Sequence, residues 1–267
     1  MDFELLKKII FQNTSLNCQY YKDSYLQRRI AVRMRANNVS NYLEYIRVLK
    51  KNPKEYIHLI DAITINVTEF FRNPETYEAI EREVLPKLIK ANSGTRNIRA
   101  WSAGCASGEE PYSLAILLLK AIKKKYKDNN FKIIIYGTDI DQESLNKAKE
   151  GIYTGDQIKN VKKSILNQYF NRIGDKYIIK DEVKQLITFQ KHDLISRSGR
   201  KYTALDLIMC RNVVIYFSNQ LKEKLFMDFY KALKKSGYLI LGKTEFISGE
   251  AKNLFKVVNN KERIYQK

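Results

Sequence analysis

The sequence predicts an α/β protein: an all-helical domain over residues 1–63, then a doubly wound sheet carrying a small inserted antiparallel β-subdomain. Three observations predict this. Apolar residues recur at helical spacing, with no strand signal, as far as Ile63. From Ile98 onward short apolar runs alternate with helical segments, the pattern of parallel strands joined by crossover helices. Phe255–Val258 and Arg263–Tyr265 then flank Asn259-Asn260-Lys261, a closing hairpin that forces one antiparallel strand on the sheet.

In the helical domain Phe3, Leu6, Ile9 and Ile10 form one apolar face, and Tyr25, Leu26, Ile30 and Met34 a second. Ser40-Asn41 can cap a third helix carrying Tyr42, Tyr45, Ile46 and Leu49. Pro53 can open a fourth, with Tyr56, Ile57, Ile60 and Ile63 inward. The second helix also holds Arg28, Arg29, Arg33 and Arg35, with no acid from Gln27 to Arg35. Such a stripe is usually a solvated face with snorkelling stems; here it is also a concentrated surface for anions.

Residues 64–75 form a linker, with T-I-N-V-T-E-F-F-R-N-P at its heart, and residues 76–267 the α/β domain. Its expected strands are Ile98–Ser102, Ile133–Thr138, Leu186–His192, Leu205–Cys210 and Tyr238–Leu241. Its expected helices are Glu75–Lys90, Tyr112–Tyr126, Ser144–Glu150 and Asn219–Lys235. The insertion, about 154–187, reads as a short helix around Ile158–Phe170 and a hairpin turning at Gly174-Asp175.

With 44% hydrophobic and 29% charged residues, the 267-residue chain has the composition of a soluble globular protein. No apolar run approaches the roughly 18 residues of a membrane span, so a cytoplasmic protein without membrane insertion is expected. Cys18, Cys105 and Cys210 lie far apart with no C-x-x-C, which argues against a disulfide framework or zinc site. His58 and His192 are too few for a histidine-based metal site or a histidine triad, so no metal is expected. A net charge of +19 favours polyanionic or acidic partners.

The chemistry centres on Trp101–Leu114, W-S-A-G-C-A-S-G-E-E-P-Y-S-L: a strand, a tight turn, and a helix opened by Pro111. Gly104-x-x-x-Gly108 fits neither the dinucleotide fingerprint nor the P-loop. Glu109 and Glu110 at the helix start would repel phosphate and suit a ligand offering hydroxyls, an amine or a positive centre. Ligands of such sheets sit over the carboxyl ends of the strands. Here those ends carry Gly104 and Glu110, then Gly137-Thr138-Asp139, His192-Asp193, and Cys210-Arg211-Asn212.

T-E-F-F-R-N-P, W-S-A-G-C-A-S-G-E-E-P-Y-S, G-T-D-I-D and C-R-N-V-V-I-Y-F, in that order, resemble the chemotaxis receptor glutamate methyltransferases, the CheR family, over nearly the whole chain. The resemblance implies a methyltransferase sheet with S-adenosyl-L-methionine as methyl donor, leaving S-adenosyl-L-homocysteine. It implies glutamate side chains on the cytoplasmic helices of chemoreceptors as acceptors, esterified by direct displacement during chemotaxis adaptation. Carried over by position, donor contacts fall on Asn66, Thr68, Arg72, Glu110, Asp139, Asp193, Arg211 and Asn212, with Gly104 in the turn. Arg72 and Tyr216 are implied around the reacting centre.

The residues suit that chemistry. A glutamate carboxylate, reference pKa ≈ 4.3, is already ionised at neutral pH and needs no general base. Arg72 is better used on the donor's own carboxylate than on the attacking oxygen, where it would stabilise the ground state. Tyr216, a neutral donor, can orient the acceptor. Arg28, Arg29, Arg33 and Arg35 offer a face complementary to Glu-rich receptor helices. The rival reading, a nucleic acid methyltransferase, rests on the charge; but Arg211-Asn212-Val213-Val214 lacks the N/D-P-P-Y/F turn of amino-directed enzymes, so no nucleic acid partner is expected. A binding module without catalysis would not need Glu110, Asp139, Arg211 and Tyr216 together. The resemblance implies that members whose inserted subdomain binds a receptor's C-terminal peptide carry a longer, glycine-rich loop there. The brief hairpin around Gly174-Asp175 leaves little backbone to wrap a peptide, so independence from such a tether is expected.

Overall fold

The computed structural model describes residues 2–14, 16–64, 67–126, 130–195 and 202–267. It divides into two compact units, Met1–Asn66 with Tyr216–Lys222, and Val67–Ile215 with Glu223–Lys267.

The first unit packs α1 (Asp2–Thr14), α2 (Asp23–Ala36), α3 (Tyr42–Lys51) and α4 (Lys54–Ile63). Leu6, Ile10, Leu26, Ile30, Tyr45, Leu49 and Leu59 are fully buried between them. Asn41 caps α3 by accepting from the Glu44 N–H at 2.9 Å. The inward stripe of α4 differs from the expected one. Ile63 faces in as expected, but Ile57 is 56% exposed and Tyr56 and Ile60 are half-buried, while Glu55 and Leu59 face in instead. The cause is Glu55, whose carboxylate accepts from Arg33 Nε and Nη2 at 2.9 and 2.7 Å and from the Tyr45 hydroxyl at 2.8 Å. That buried triad sets the helix's rotation. Tyr216–Lys222 belongs to this unit, although the sequence places it after a strand of the α/β domain. The Lys22 N–H donates to the Tyr216 carbonyl, the Ser218 N–H donates to the Tyr20 carbonyl, and the Tyr25 and Tyr216 rings lie 4.5 Å apart.

The second unit opens with α5 (Pro74–Ala79), a π-turn at Ile80–Val84 and α6 (Leu85–Ala91). Pro86 explains the π-turn: it has no N–H to give and its ring crowds the carbonyl four residues back. The main sheet contains β1 (Asn97–Ala103), β2 (Lys132–Asp139), β6 (Ile187–Lys191), β7 (Leu205–Cys210), β8 (Leu233–Leu241), β9 (Lys256–Asn259) and β10 (Ile264–Gln266). Their order is β6-β2-β1-β7-β8-β10-β9. The first five strands are parallel, and β10 runs antiparallel to both β8 and β9. The predicted fold class, a doubly wound sheet closed by a hairpin, is what forms.

Crossovers are made by α7 (Glu109–Lys125), α8 (Gln142–Glu150) and, from Glu223 on, α11 (Asn219–Ala232). Leu114, Ile116, Leu118 and Ile122 of α7 bury against Ile98, Ala100, Ile133 and Ile135 of the sheet in one apolar core. The last crossover helix stops at Ala232 rather than Lys235. Leu233 already pairs with Leu205, and a bulge carries the chain to Tyr238 opposite Leu207. Lys234 is drawn out of the helix by Asp206, 2.7 Å away.

The insertion forms a second sheet, β3 (Ile152–Tyr153), β5 (Lys176–Ile179) and β4 (Phe170–Ile173), in that spatial order and antiparallel. The hairpin turn is Gly174-Asp175, with Gly174 at φ 61°. Strand β3 was not foreseen, and the expected helix over Ile158–Phe170 is shorter. It resolves into a single 3₁₀ turn at Asp156–Ile158 and α9 (Lys163–Tyr169), with α10 (Asp181–Lys184) leading back to β6.

Candidate active site

Chain direction away from β1 reverses between β2 and β7, so the carboxyl ends of β1 and β7 flank a crevice of the kind that receives ligands in such sheets. After β1 the chain passes through Gly104 (φ 80°), Ala106 (φ 44°) and Gly108 (φ 94°) before α7 begins. A Cβ on Gly104 would sit 2.5 Å from a methyl of Val213, so only glycine lets the β1 and β7 loops approach this closely. The Gly104 and Cys105 N–H groups donate to the Thr138 carbonyl at 2.8 and 2.9 Å, tying this turn to the end of β2.

Asp139 fixes the turn from the other side. One of its oxygens accepts from the Ala106 N–H at 2.8 Å and the other from the Asp141 N–H at 3.0 Å. Burial pushes its carboxyl above the usual range, against the pull of these N–H groups. Each oxygen has a further lone pair, so the carboxylate can hold the turn and still accept from a ligand's hydroxyls.

The two acids of the turn part company. Glu109 is fully buried and accepts from the Ser107 hydroxyl at 2.9 Å and from Gln157 Nε2 at 2.6 Å. It does not join Glu110 in a ligand-facing acidic pair, as the sequence suggested. The helix register turns the two side chains apart. Glu110 accepts from the Ser102 hydroxyl at 2.8 Å and lies 3.8 Å from Arg211 Nη1. Burial raises its carboxyl above the ordinary value, with the Arg211 charge opposing.

Arg211, after β7, is the knot of the site. Its Nη2 donates at 2.8 Å to both the Arg72 carbonyl and Asn73 Oδ1, and its guanidinium lies 5.4 Å from the centre of the Tyr77 ring. It thereby joins the linker to Glu110 and the glycine turn. The linker is held in strained backbone at Phe71 (φ 51°) and Asn73 (φ 59°). Phe70 and Phe71 are buried on either side of the turn, and the Phe71 N–H donates to Ser113 Oγ at 3.0 Å. Half-buried between them and α5, Arg72 donates to the Val67 carbonyl at 3.0 Å.

Thr68 is half-buried in the same linker, and Asn66 lies outside the described residues. Asp193, after β6, accepts from the Ile195 N–H at 2.9 Å, and burial raises its carboxyl. The structure thus collects Arg72, Gly104, Glu110, Asp139, Arg211 and Asn212 around the ends of β1, β2 and β7.

Sequence reasoning missed Glu245. Its carboxylate is buried and accepts from the N–H groups of Gly242, Asn212 and Ile215 at 2.6, 2.8 and 3.2 Å. It clamps the loop that carries Arg211 and Asn212. The signal was available, since Glu245 lies in the short loop just after β8.

The candidate docking arginines do not act alike. Arg33 is committed to Glu55, so it is a structural cation and not part of a free stripe. The Arg33 and Tyr45 bonds hold the Glu55 carboxyl below its usual range even though burial alone would raise it. Arg28 and Arg35 are exposed, and Arg29 is half-buried. Arg33→Glu is expected to cost about 3–5 kcal/mol of stability by placing a second carboxylate against Glu55. Arg28→Glu with Arg35→Glu is expected to leave the melting temperature within a few degrees. Thermal unfolding of both variants checks this.

S-Adenosyl-L-methionine asks for hydroxyl acceptors, an amine acceptor and a carboxylate donor. The chain offers Asp139 and Glu110, Asp193, and Arg72 respectively. Two further buried polar atoms, Arg211 Nε and Asn212 Oδ1, have no hydrogen-bond partner among the described residues. A donor and an acceptor left open beside the crevice fit a polar ligand better than a sealed structural corner.

Two family models match the chain. Residues 66–264 match "CheR methyltransferase, SAM binding domain" and residues 1–64 match "CheR methyltransferase, all-alpha domain". The chain belongs to the CheR methyltransferase family. Chemotaxis protein methyltransferase of Borreliella burgdorferi is 38% identical over 93% of this chain and 89% of its own length. That of Listeria monocytogenes is 32% identical over 97% and 95%. Chemotaxis protein methyltransferase 2 of Vibrio cholerae is 32% identical over 92% and 86%. As in other CheR family chains, then, the sheet is an S-adenosyl-L-methionine-binding methyltransferase domain. No helix among the described residues is long and apolar enough to cross a membrane.

Proposed function

We propose that this CheR family chain methylates glutamate side chains on the cytoplasmic helices of chemoreceptors, forming methyl esters. The observation that carries the reading is the Arg211 knot. One buried guanidinium binds the linker that bears Arg72 to the glycine turn that bears Glu110, inside a chain that matches both CheR domains.

S-Adenosyl-L-methionine, when bound, supplies a methyl group activated by an adjacent positive sulfur. In this reading Asp139 and Glu110 accept from its ribose hydroxyls, Asp193 accepts from its adenine amine, and Arg72 grips its carboxylate in a bidentate pair. The acceptor carboxylate arrives ionised, so the chain's task is to align it and shed its water. Tyr216 is the candidate hydroxyl that orients it. Tyr216→Phe is expected to lower turnover about tenfold or more with donor affinity within twofold of wild type, since the ring stays and only the hydroxyl goes. Steady-state kinetics beside donor calorimetry check this, and collapsed donor binding would mark the tyrosine as structural.

Receptor docking is assigned to exposed Arg28 and Arg35, with Arg29 behind them. Arg28→Glu with Arg35→Glu is expected to raise receptor KM and flatten its dependence on ionic strength, leaving donor affinity alone. The two-residue turn at Gly174-Asp175 supports docking without a tether. The receptor's C-terminal pentapeptide is expected to show no micromolar binding, and deleting that tail to change the methylation rate less than about threefold. The proposed activity itself is tested by incubating the protein with donor and a receptor cytoplasmic fragment, then mapping methylated residues by mass spectrometry. Methylation confined to residues other than glutamate would overturn it.

A further inference from the structure

We propose that Gln157, in the inserted subdomain, is a positioning residue for the methyl-donor site, stapling the start of α7 to the linker that bears Arg72. The inference rests on the reading that S-adenosyl-L-methionine occupies the crevice at β1 and β7, and it extends the donor site to a part of the chain so far considered only for peptide tethering.

Gln157 lies in the 3₁₀ turn Asp156–Ile158 and bonds both the linker and the first turn of α7 with one residue. Its main-chain carbonyl accepts from the Phe70 N–H at 2.8 Å, two residues before Arg72. Its side-chain Nε2 donates at 2.6 Å to Glu109 Oε1, in the first turn of α7 and next to Glu110. The amide cannot be turned round without loss, because its Oε1 accepts from the Thr154 N–H at 3.1 Å.

Glu109 passes the constraint on. It takes the Ser107 hydroxyl at 2.9 and 3.0 Å, while the Ser107 carbonyl accepts from the Tyr153 hydroxyl at 2.8 Å. Its carbonyl accepts from Ser113 Oγ at 2.6 Å, and that same oxygen receives the Phe71 N–H. The glycine turn, α7 and the linker are therefore fixed relative to one another by a chain of bonds that closes through Gln157. Apolar packing joins the same parts independently, with the Phe70 ring edge-on to Tyr153 at 4.7 Å and to Phe170 at 5.2 Å. Changing the amide should thus loosen the cradle without unfolding it.

The titratable groups around Glu109 are Tyr153, Cys105 and the adjacent Glu110. Burial raises the Tyr153 hydroxyl and the Cys105 thiol well above their ordinary values, and burial likewise raises Glu110. The thiol and the phenol thus stay protonated, and the carboxylates are the groups here whose charge can change. Gln157→Glu sets two carboxylates side by side in a buried place. At low pH they share a proton and keep the bond; as pH rises both ionise and repel. Exchanging the partners, Glu109→Gln with Gln157→Glu, restores one amide and one carboxylate, and every donor and acceptor again finds a match.

The test is donor affinity by calorimetry at pH 6.5 and 8.5, each variant expressed as a ratio to wild type at the same pH, with thermal unfolding alongside. Gln157→Ala is expected to raise the donor Kd about three- to tenfold at both pH values. Gln157→Glu is expected to raise it about tenfold or more at pH 8.5 and clearly less at pH 6.5. The exchanged pair should return to within about threefold at both. An exchanged pair as weak as Gln157→Glu alone, or Gln157→Ala with wild-type affinity, would overturn the proposal. Should wild type itself bind no donor, the reading of the crevice fails instead, a result none of the other outcomes mimics.

Discussion

Arg211→Ala should lower the melting temperature by about 10 °C and leave donor binding too weak to measure by calorimetry. The side chain is 2% exposed and Glu110, its counter-charge, 12%. Removing one partner of so buried a pair leaves a carboxylate without compensation and typically costs about 3–5 kcal/mol. At about 2–4 °C per kcal/mol for a chain of this size, the shift is easily seen. Two hydrogen bonds to the linker go as well, so the backbone held at Phe71 and Asn73 loses what over-determines it. Arg211→Lys should recover part of the stability but little of the binding, because an ammonium cannot reach Arg72, Asn73 and Glu110 at once. An Arg211→Ala protein melting at the wild-type temperature would show that the knot holds nothing.

The second large effect belongs to Asp139. Asp139→Ala is expected to weaken donor binding by about 1–3 kcal/mol, roughly five- to 150-fold, since charge-assisted bonds to the ligand are lost. It also frees the Ala106 and Asp141 N–H groups, so the turn should protect its amides less from hydrogen exchange. The sign of the pH effect follows from its raised folded value. Being raised, this group favours folding at low pH, and that contribution is lost as pH rises through the window between the ordinary carboxylate value and the raised one. Donor binding runs the other way. Hydroxyl donors favour the ionised carboxylate, so binding releases protons and donor affinity should fall as pH drops into that window. Calorimetry across pH 5–8 checks both statements, and unchanged donor affinity in Asp139→Ala would remove Asp139 from the site.

How much of this was legible in the sequence depends on how local the signal is. The doubly wound alternation, the closing hairpin and the polar strand ends are written in period and punctuation, and the strands fall within a few residues of the expected ones. Glu110, Asp139 and Arg211 stood out because each sits at a strand end or helix start, whereas Arg72 came from the family resemblance alone. Pairings between distant positions were not readable. Arg33 looked like one of four equivalent surface cations because its partner, Glu55, lies 22 residues away on another helix. The same pairing turned α4 so that Ile57 faces outward. The bond from Gln157 to Glu109 spans 48 residues, and an amide in a polar loop has no periodicity to betray it. Strand β3 has two residues, too few to show alternation. Glu245 is different: it is an acid in the loop just after β8, a local signal in a place where the chain carries polar groups on its other strands as well.

The central claim, ester formation on receptor glutamates, is tested most directly by the fate of the transferred methyl group. The protein is incubated with methyl-labelled S-adenosyl-L-methionine and a receptor cytoplasmic fragment, and the product is treated with mild alkali. A carboxyl methyl ester should release its label as volatile methanol, and the label should vanish when the acceptor glutamates are replaced by alanine. Label that survives alkali, or that appears on nucleic acid and not on the receptor fragment, would contradict the account.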